Sequence, residues 1–288
     1  MEDIYKKLEM CEDLPTLPVV MTKLIDAIND DNSSAGDLTK IMENDPAMSA
    51  RVLKLANSAF YGLRFKVDNL KRAIVVLGFE TVRMLALSTT ILDLFSAKKQ
   101  LALDPEDFWI HSLGAGKSAQ ILSTKVKTEI VPETLFTAGL LHDIGKYCLA
   151  LALKEEYKVV TKKGKDSQTP LYKVEKENLS LTYCEVNAWL AQKWNLPETL
   201  SAPMANHNQP ENNSNKYPLE TYIVYLSSEI SRIENFGIAG DFNKVNIKLL
   251  TSLFPQIKES TIKETREEIK EYISDAKKFL SEFENKQR

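Results

Sequence analysis

A histidine and an aspartate stand side by side at the end of an apolar run, Leu140-Leu141-His142-Asp143-Ile144-Gly145-Lys146. Such a pair can grip one divalent ion, the imidazole through a ring nitrogen and the carboxylate through an oxygen. It cannot complete a site alone. A hydrolytic metal centre needs several fixed ligands and an open position, because the ion must polarise a phosphoryl oxygen and turn bound water into hydroxide near neutral pH. The chain contains 3 histidines, His111, His142 and His207. The competing reading of His142-Asp143 is a buried polar network without an ion, in which Asp143 bonds to a histidine ring or to backbone N–H groups.

The elements that must position these residues read as helices. Asp45-Pro46 and Asp104-Pro105 each place a capping carboxylate before a proline at the first helical position. The second leads into Phe108, His111, Ala115 and Leu122, so His111 lies on a helix from which it could project toward His142. Thr182 with Glu185 forms a capping box ahead of Val186, Trp189, Leu190 and Trp194. Pro197 and Pro218 mark further helix starts, and Gly78 and Gly237 mark helix ends. Alternation of period two is nearly absent and no Asn-Gly or Asp-Gly hairpin turn occurs, so the expected class is all-α with roughly a dozen or more helices, given usual helix lengths. Polar stretches at 96–104 and 209–216 suggest an N-terminal helical unit over 1–100, a middle unit over 101–236 and a C-terminal extension over 237–288.

In that extension Ile262, Ile269, Ala276 and Phe283 recur every seven residues, behind a capping box expected at Thr261 and Glu264. The pattern predicts a helix from Thr261 to Glu284, packed on its own domain or, in the sharper reading, pairing two copies as a homodimer. Trp109, Trp189 and Trp194 are expected to be core anchors, Asn57 to cap a helix end, Gly62 to permit a turn, and Arg51 to pair with an acid across the two units. Pro18 is expected to direct the chain into the first helix.

Composition narrows the functional classes. The chain has 288 residues, 43% of them hydrophobic, and a net charge of −3 from 37 basic and 40 acidic side chains. That balance gives no footprint for nucleic acid. No apolar stretch reaches membrane-spanning length, and the acidic N-terminus does not resemble a secretion signal. The 3 cysteines have no metal-ligand spacing and suit a reducing compartment. A cytoplasmic protein without a membrane partner is expected. No phosphate-binding glycine loop is visible.

The sequence resembles the HDOD family, a bacterial group related to HD-type metal phosphohydrolases. The resemblance runs through Leu14-Pro15-Thr16-Leu17-Pro18, the block from Asp45 to Gly62, Ala73-Ile74 with Leu77-Gly78, and Trp109 with His111-Ser112. It continues through Gly139 to Lys146, Glu185-Val186, Trp194-Asn195-Leu196-Pro197 and the vicinity of His207, covering residues 14 to about 210. It implies an all-helical fold with an HD-like half and a signalling or regulatory role, usually as an output or scaffold module rather than a hydrolase.

The resemblance also locates departures. Where the family often has histidine before Glu185-Val186, Tyr183 stands here. Where it often has paired histidines, this chain has His207-Asn208. The aspartate that closes an active HD site is expected on the helix containing Ile223 to Glu229, and Ser228 takes its place. Glu229 is turned about 100° away around the helix, and Asp241 lies beyond it as a weak substitute. His111, His142, Asp143 and His207 therefore remain as a ligand set or remnant HD pocket, with at most a weakly bound divalent metal and no cofactor expected. Lys146 keeps the place that contacts phosphate in related cyclic-dinucleotide hydrolases; its other reading is a surface lysine or a helix C-terminal cation. Two functions follow as expectations: a non-catalytic module binding a signalling protein or a small ligand, or a metal-dependent phosphohydrolase acting on a nucleotide or cyclic dinucleotide.

Overall fold

Capping chemistry sets where the chain turns helical. In the computed structural model, which describes residues 2–58, 61, 63–95, 101–126, 128, 130–210, 216–243 and 255–284, sixteen α-helices follow one another and no strand occurs among the described residues. Asp45 accepts from the Met48 N–H at 2.9 Å to start α4 (Pro46–Ala56), and Asp104 accepts from Asp107 N–H at 2.9 Å to start α7 (Pro105–Lys125). Thr182 and Glu185 form the reciprocal box that opens α12 (Tyr183–Lys193). Each satisfies backbone donors that a helix start otherwise leaves unpaired.

Ahead of α7 the chain forms α1 (Glu2–Glu9), which packs on the later helix over Ile144–Ala152, then α2 (Val19–Asn29), α3 (Ala35–Glu43), α4, α5 (Leu70–Leu77) and α6 (Phe79–Phe95). Pro18 precedes α2 rather than the first helix. Helix α6 is apolar nearly all round, buried from Thr81 to Leu92, as expected of a helix with neighbours on every side. It packs on α2, α4 and α5 on one side and on α8 (Pro132–Leu141) on the other.

The second half is built around α7, whose buried positions run from Phe108 to Ser123. Helices α8 and α14 (Pro218–Ile233) lie along it. The α7–α8 approach is close because glycines face each other: a Cβ on Gly116 would sit 2.8 Å from the Phe136 carbonyl oxygen, and one on Gly139 would sit 2.9 Å from that of Ala115. Between α8 and α14 run α9 (Ile144–Ala152), α10 (Lys154–Ser167), α11 (Leu171–Leu179), α12 and α13 (Glu198–Asn206).

Several expectations change. The C-terminal segment is two helices, α15 (Glu259–Lys270) and α16 (Ile273–Glu284), broken at Glu271-Tyr272. Lys258 stands at the N-cap with no side-chain cap bond, so Thr261 and Glu264 form no capping box. Both helices pack on α7, and Ile262, Ile269 and Ala276 are buried within the chain; the apolar stripe is spent internally. Arg51 pairs with Asp93 at 3.1 Å and Asp45 at 3.9 Å, tying α4 to α6 inside the N-terminal unit rather than bridging the two units. Asn57 caps α4 and bonds Val67 through both its amide groups. Trp109 and Trp194 are buried, while Trp189 is partly exposed against Tyr5. Helix α14 ends at Ile233, with Asn235 and Gly237 both at positive φ beyond it. The turn expected at Gly62, the residues at 96–100 and 211–215, and the side chain of Phe283 lie outside the described residues.

Truncating Ile269 to alanine removes a fully buried side chain from the α15–α7 contact. Unfolding free energy should drop by about 2–5 kcal/mol, read from the urea midpoint. An unchanged midpoint would show that α15 does not contribute to the cooperative core.

Candidate functional site: a histidine and aspartate pocket between α7, α8 and α14

The His142-Asp143 step falls between α8 and α9, where helix ends leave backbone groups unpaired. Asn187 on α12 satisfies them. Its side-chain oxygen accepts from the Gly145 N–H at 2.7 Å, and its amide nitrogen donates to the carbonyls of His142 at 2.5 Å and Met204 at 2.8 Å. Gly145 allows α12 to come this near, since a Cβ there would lie 2.1 Å from the Tyr183 carbonyl oxygen.

Donor atoms from three helical segments then meet. His111 Nε2 lies 3.4 Å from His142 Nε2, and Asp143 Oδ2 lies 3.3 Å from His142 Nε2 and 3.6 Å from His111 Nε2. Ser228 Oγ stands 3.0 Å from His142 Nε2 and 3.3 Å from His111 Nε2. The three His and Asp atoms make a nearly equilateral triangle. Four donors set tetrahedrally about 2.1 Å from an ion are separated by roughly 3.4 Å, so this triangle fits one face around a single ion. His111, His142, Asp143 and His207 are all buried, at 0–2% exposure, while Ser228 keeps partial exposure.

Protonation follows from the acceptors. His142 Nδ1 lies 2.6 Å from the Gly139 carbonyl oxygen, which only accepts, so Nδ1 carries a hydrogen and Nε2 is the ring nitrogen turned to the centre. His207 Nδ1 likewise faces the Met204 carbonyl at 3.1 Å, and its Nε2 meets the Tyr183 hydroxyl at 3.1 Å. His207 approaches the other carboxylate oxygen, Asp143 Oδ1, at 3.6 Å. The structure thus brings His111, His142 and Asp143 to one point, with His207 beside them but engaged by Tyr183. Asn208 is partly exposed beyond the pocket, and Glu229 turns aside to pair with Arg232 at 2.8 Å.

Lys146 is neither a surface lysine nor a helix C-terminal cation. It lies in the first turn of α9, 1% exposed, with its ammonium 2.8 Å from Asp143 Oδ2 and 2.5 Å from Asp241 Oδ2. The Tyr183 ring covers it at 4.4 Å. Asp241, set aside as a weak substitute ligand, reaches this lysine, and its other oxygen accepts from the Leu171 N–H at 2.8 Å. Asn187 and the Asp241–Lys146 contact were missed in the sequence. Asn187 sat between apolar helix neighbours as a detectable polar exception; nothing local marked Asp241.

Electrostatics agree with the contacts. Burial, and then His142, push the His111 imidazole down to about 3 against the pull of Asp143, so it is neutral at pH 7. Burial alone would raise the Asp143 carboxyl, but His142, Lys146 and hydrogen bonds hold it well below the usual carboxylate range. Burial would lower the Lys146 ammonium, yet Asp143 and Asp241 hold it above its ordinary value. Asp241 is held down by Lys146 and Arg232 in spite of burial. Of the ring nitrogens and carboxylate oxygens that His111, His142, Asp143 and His207 bring to the pocket, His111 Nδ1 and Asp143 Oδ1 lack a hydrogen-bond partner.

An all-helical chain with a His-Asp step facing a histidine from a preceding helix is a protein with an HD-type half. Its sequence matches the HDOD domain family over residues 14–210, and the chain belongs to that family. It is similar to an HDOD domain protein of unknown function from Geobacter sulfurreducens (22% identity, 97% of this chain and 96% of that one, TM-score 0.81). It is also similar to a proposed phosphohydrolase from Shewanella amazonensis SB2B (22% identity, 97% of each chain, TM-score 0.74). A third structure, a proposed signal transduction protein from Marinobacter aquaeolei VT8, has 19% identity and a TM-score of 0.77, over 97% of this chain and 65% of that one. At these identities the likeness establishes the fold. An uncharacterized protein of Treponema pallidum (strain Nichols) is 23% identical over 224 residues, 76% of this chain and 42% of the relative, so the chain spans less than half the length of that relative. No helix among the described residues is long and apolar enough to cross a membrane.

Replacing Lys146 with methionine leaves the buried Asp143 carboxylate and the partly exposed Asp241 carboxylate without the ammonium between them, and stability should fall by about 3–5 kcal/mol, measured by chemical denaturation. A loss under 1 kcal/mol would mean that the ammonium does not compensate them. The pH dependence has a defined sign. His111 titrates near 6.5 when unfolded and at about 3 when folded, so the unfolded chain takes the proton first and stability erodes as pH falls through that window. Asp143, depressed in the fold, adds a loss at still lower pH, below its unfolded value near 3.9. Stability of His111→Gln measured against pH should lack the upper part of this decline; a parallel curve would contradict it.

Proposed function

We propose that the chain is a non-catalytic HDOD module for signal transduction, acting by binding a protein partner or a small ligand. The observation that carries this reading is Ser228, which occupies the corner of the donor cluster where a hydrolase needs a carboxylate. Its hydroxyl bonds both imidazoles, and a neutral hydroxyl supplies none of the charge that holds a second ion. Two further facts support the same reading. The Lys146 ammonium lies on Asp143 Oδ2, the oxygen that would face an ion. The His and Asp donors have almost no exposed surface for a phosphodiester to reach.

The residues present fit one divalent ion, with His111, His142 and Asp143 as its donors, and do not fit two. When bound, such an ion would supply Lewis acidity and an acidified water. Around it His142 would be held in the correct tautomer by Gly139, and Tyr183 would keep His207 from joining. The phosphohydrolase alternative draws on the donor triangle and on similarity to the Shewanella amazonensis protein. There Lys146 would have to leave both carboxylates to meet a phosphate.

Purified protein incubated with Mn²⁺ or Fe²⁺ and then desalted should retain metal well below one equivalent and should not turn over nucleotide or cyclic-dinucleotide substrates. Ser228→Asp should raise Mn²⁺ affinity about tenfold or more, a gain of roughly 1.4 kcal/mol. Stoichiometric metal in the wild type together with turnover lost in Asp143→Ala would overturn the non-catalytic reading.

A further inference from the structure

A cavity of about 480 Å³ opens between the N-terminal unit and α12, away from the histidines. That volume lies within the ~300–1,000 Å³ usual for small-molecule sites, which favour junctions between structural units. Its floor is apolar, part aliphatic and part aromatic: Leu8, Ile25, Phe95 and Trp194 are buried there, and Trp189 lines it beside them. The segment from Glu9 to Leu17 lies along another side.

The rim is acidic. Glu9, Glu12 and Asp26 line the cavity and are exposed, and no ion pair engages any of them among the described residues. The one cation of the lining, Lys193, sits 4.8 Å from the centre of the Trp189 ring. An aromatic floor beneath unpaired carboxylates is the surface that recognises an organic cation with a flat apolar body: the ring stacks or packs edge-on, and the ammonium meets both carboxylate charge and the aromatic faces. An anionic ligand such as a nucleotide would face three like charges.

We propose that this cavity binds a small aromatic or alkyl ammonium compound. The proposal names the ligand class for the binding role argued above and rests on that role. A basic peptide would demand an open groove, whereas this recess is bounded by α1, α2, α12 and the segment joining α1 to α2. Phe95 in the floor meets Tyr147 edge-on at 5.5 Å, and the Tyr147 hydroxyl donates to the Phe95 carbonyl at 2.8 Å. Tyr147 directly follows Lys146, so the cavity floor is one packing layer from the histidine and aspartate pocket.

The test is a charge series on the full chain: 3-phenylpropylamine, 3-phenylpropan-1-ol and 3-phenylpropanoate, near-isosteres that are cationic, neutral and anionic at pH 7. Two of the 3 tryptophans line the cavity, so tryptophan fluorescence and indole N–H shifts report binding there. The amine should bind about tenfold more tightly than the alcohol, a difference of roughly 1.4 kcal/mol, and the propanoate more weakly than both. The double variant Glu12→Gln, Asp26→Asn should abolish the preference while leaving the unfolding midpoint within error. Equal affinity for all three, no saturable shift of the Trp189 and Trp194 signals, or displacement of the amine by a lysine-rich decapeptide that binds more tightly would each overturn the proposal. The metal and turnover assays read the non-catalytic role separately, so failure here leaves that role standing and its failure leaves this titration unaffected.

Discussion

An ionised carboxylate sealed inside a protein must be compensated, and the second half of this fold is arranged around that requirement at Asp143. An isolated buried charge costs several kcal/mol even after relaxation. Here the compensation comes from inside the chain. The Lys146 ammonium bonds Asp143, a second carboxylate, Asp241, bonds the same ammonium, and Arg232 helps to hold Asp241 ionised. Asp143 at the α8–α9 step, Lys146 on α9 and Asp241 after α14 form one network, and Arg232 on α14, paired with Glu229, lies near enough to act on it. Three imidazoles crowd against it, and that of His111 is kept neutral chiefly by burial. A divalent ion entering this pocket would compete with an ammonium already on the carboxylate, which is why the donor triangle and the charge inventory point in different directions.

The network exists because the helices approach more closely than ordinary side chains permit. Gly116 and Gly139 let α7 and α8 touch backbone to backbone, which sets His111 opposite His142. Gly145 does the same for α9 and α12, bringing Asn187 onto the broken backbone between α8 and α9 and laying the Tyr183 ring over Lys146. A methyl group at any of these positions would displace a helix and with it a polar contact in the pocket. Packing and electrostatics are therefore one constraint: the polar residues are tolerated because they are satisfied, and they are satisfied because the small residues bring their partners within reach.

Within the HDOD family this arrangement makes sense of two features that separately look contradictory. The His-Asp step and His111 stand in the geometry of a metal site, while the serine at 228 and the tyrosine at 183 engage the imidazoles in hydrogen bonds. Ser228 bonds His111 and His142, and Tyr183 takes the free nitrogen of His207. The cavity lined by α1, α2 and α12 has the opposite character, with unpaired charge at its rim and the partly exposed Trp189 ring beside it.

The sequence by itself determined the helical class, the capped starts at Asp45, Asp104 and Thr182, the His142-Asp143 step and the family. These are local or nearly local: caps act over three residues, and the motif is contiguous. It also placed His111 on a helix from which it could project toward His142; that the two rings meet, with their Nε2 atoms 3.4 Å apart, was decided by the packing of α7 on α8. Only the tertiary structure decided the fate of Lys146 and Asp241, which lie 95 positions apart; no periodicity reports a contact between an α-helix and a later irregular segment. The same holds for Arg51, whose partner Asp93 lies on α6 within its own unit, and for the C-terminal stripe. Heptad spacing shows that Ile262, Ile269 and Ala276 share a face, but the same spacing serves a partner helix or an internal one. The choice depended on whether α7 left a surface to cover, and it did.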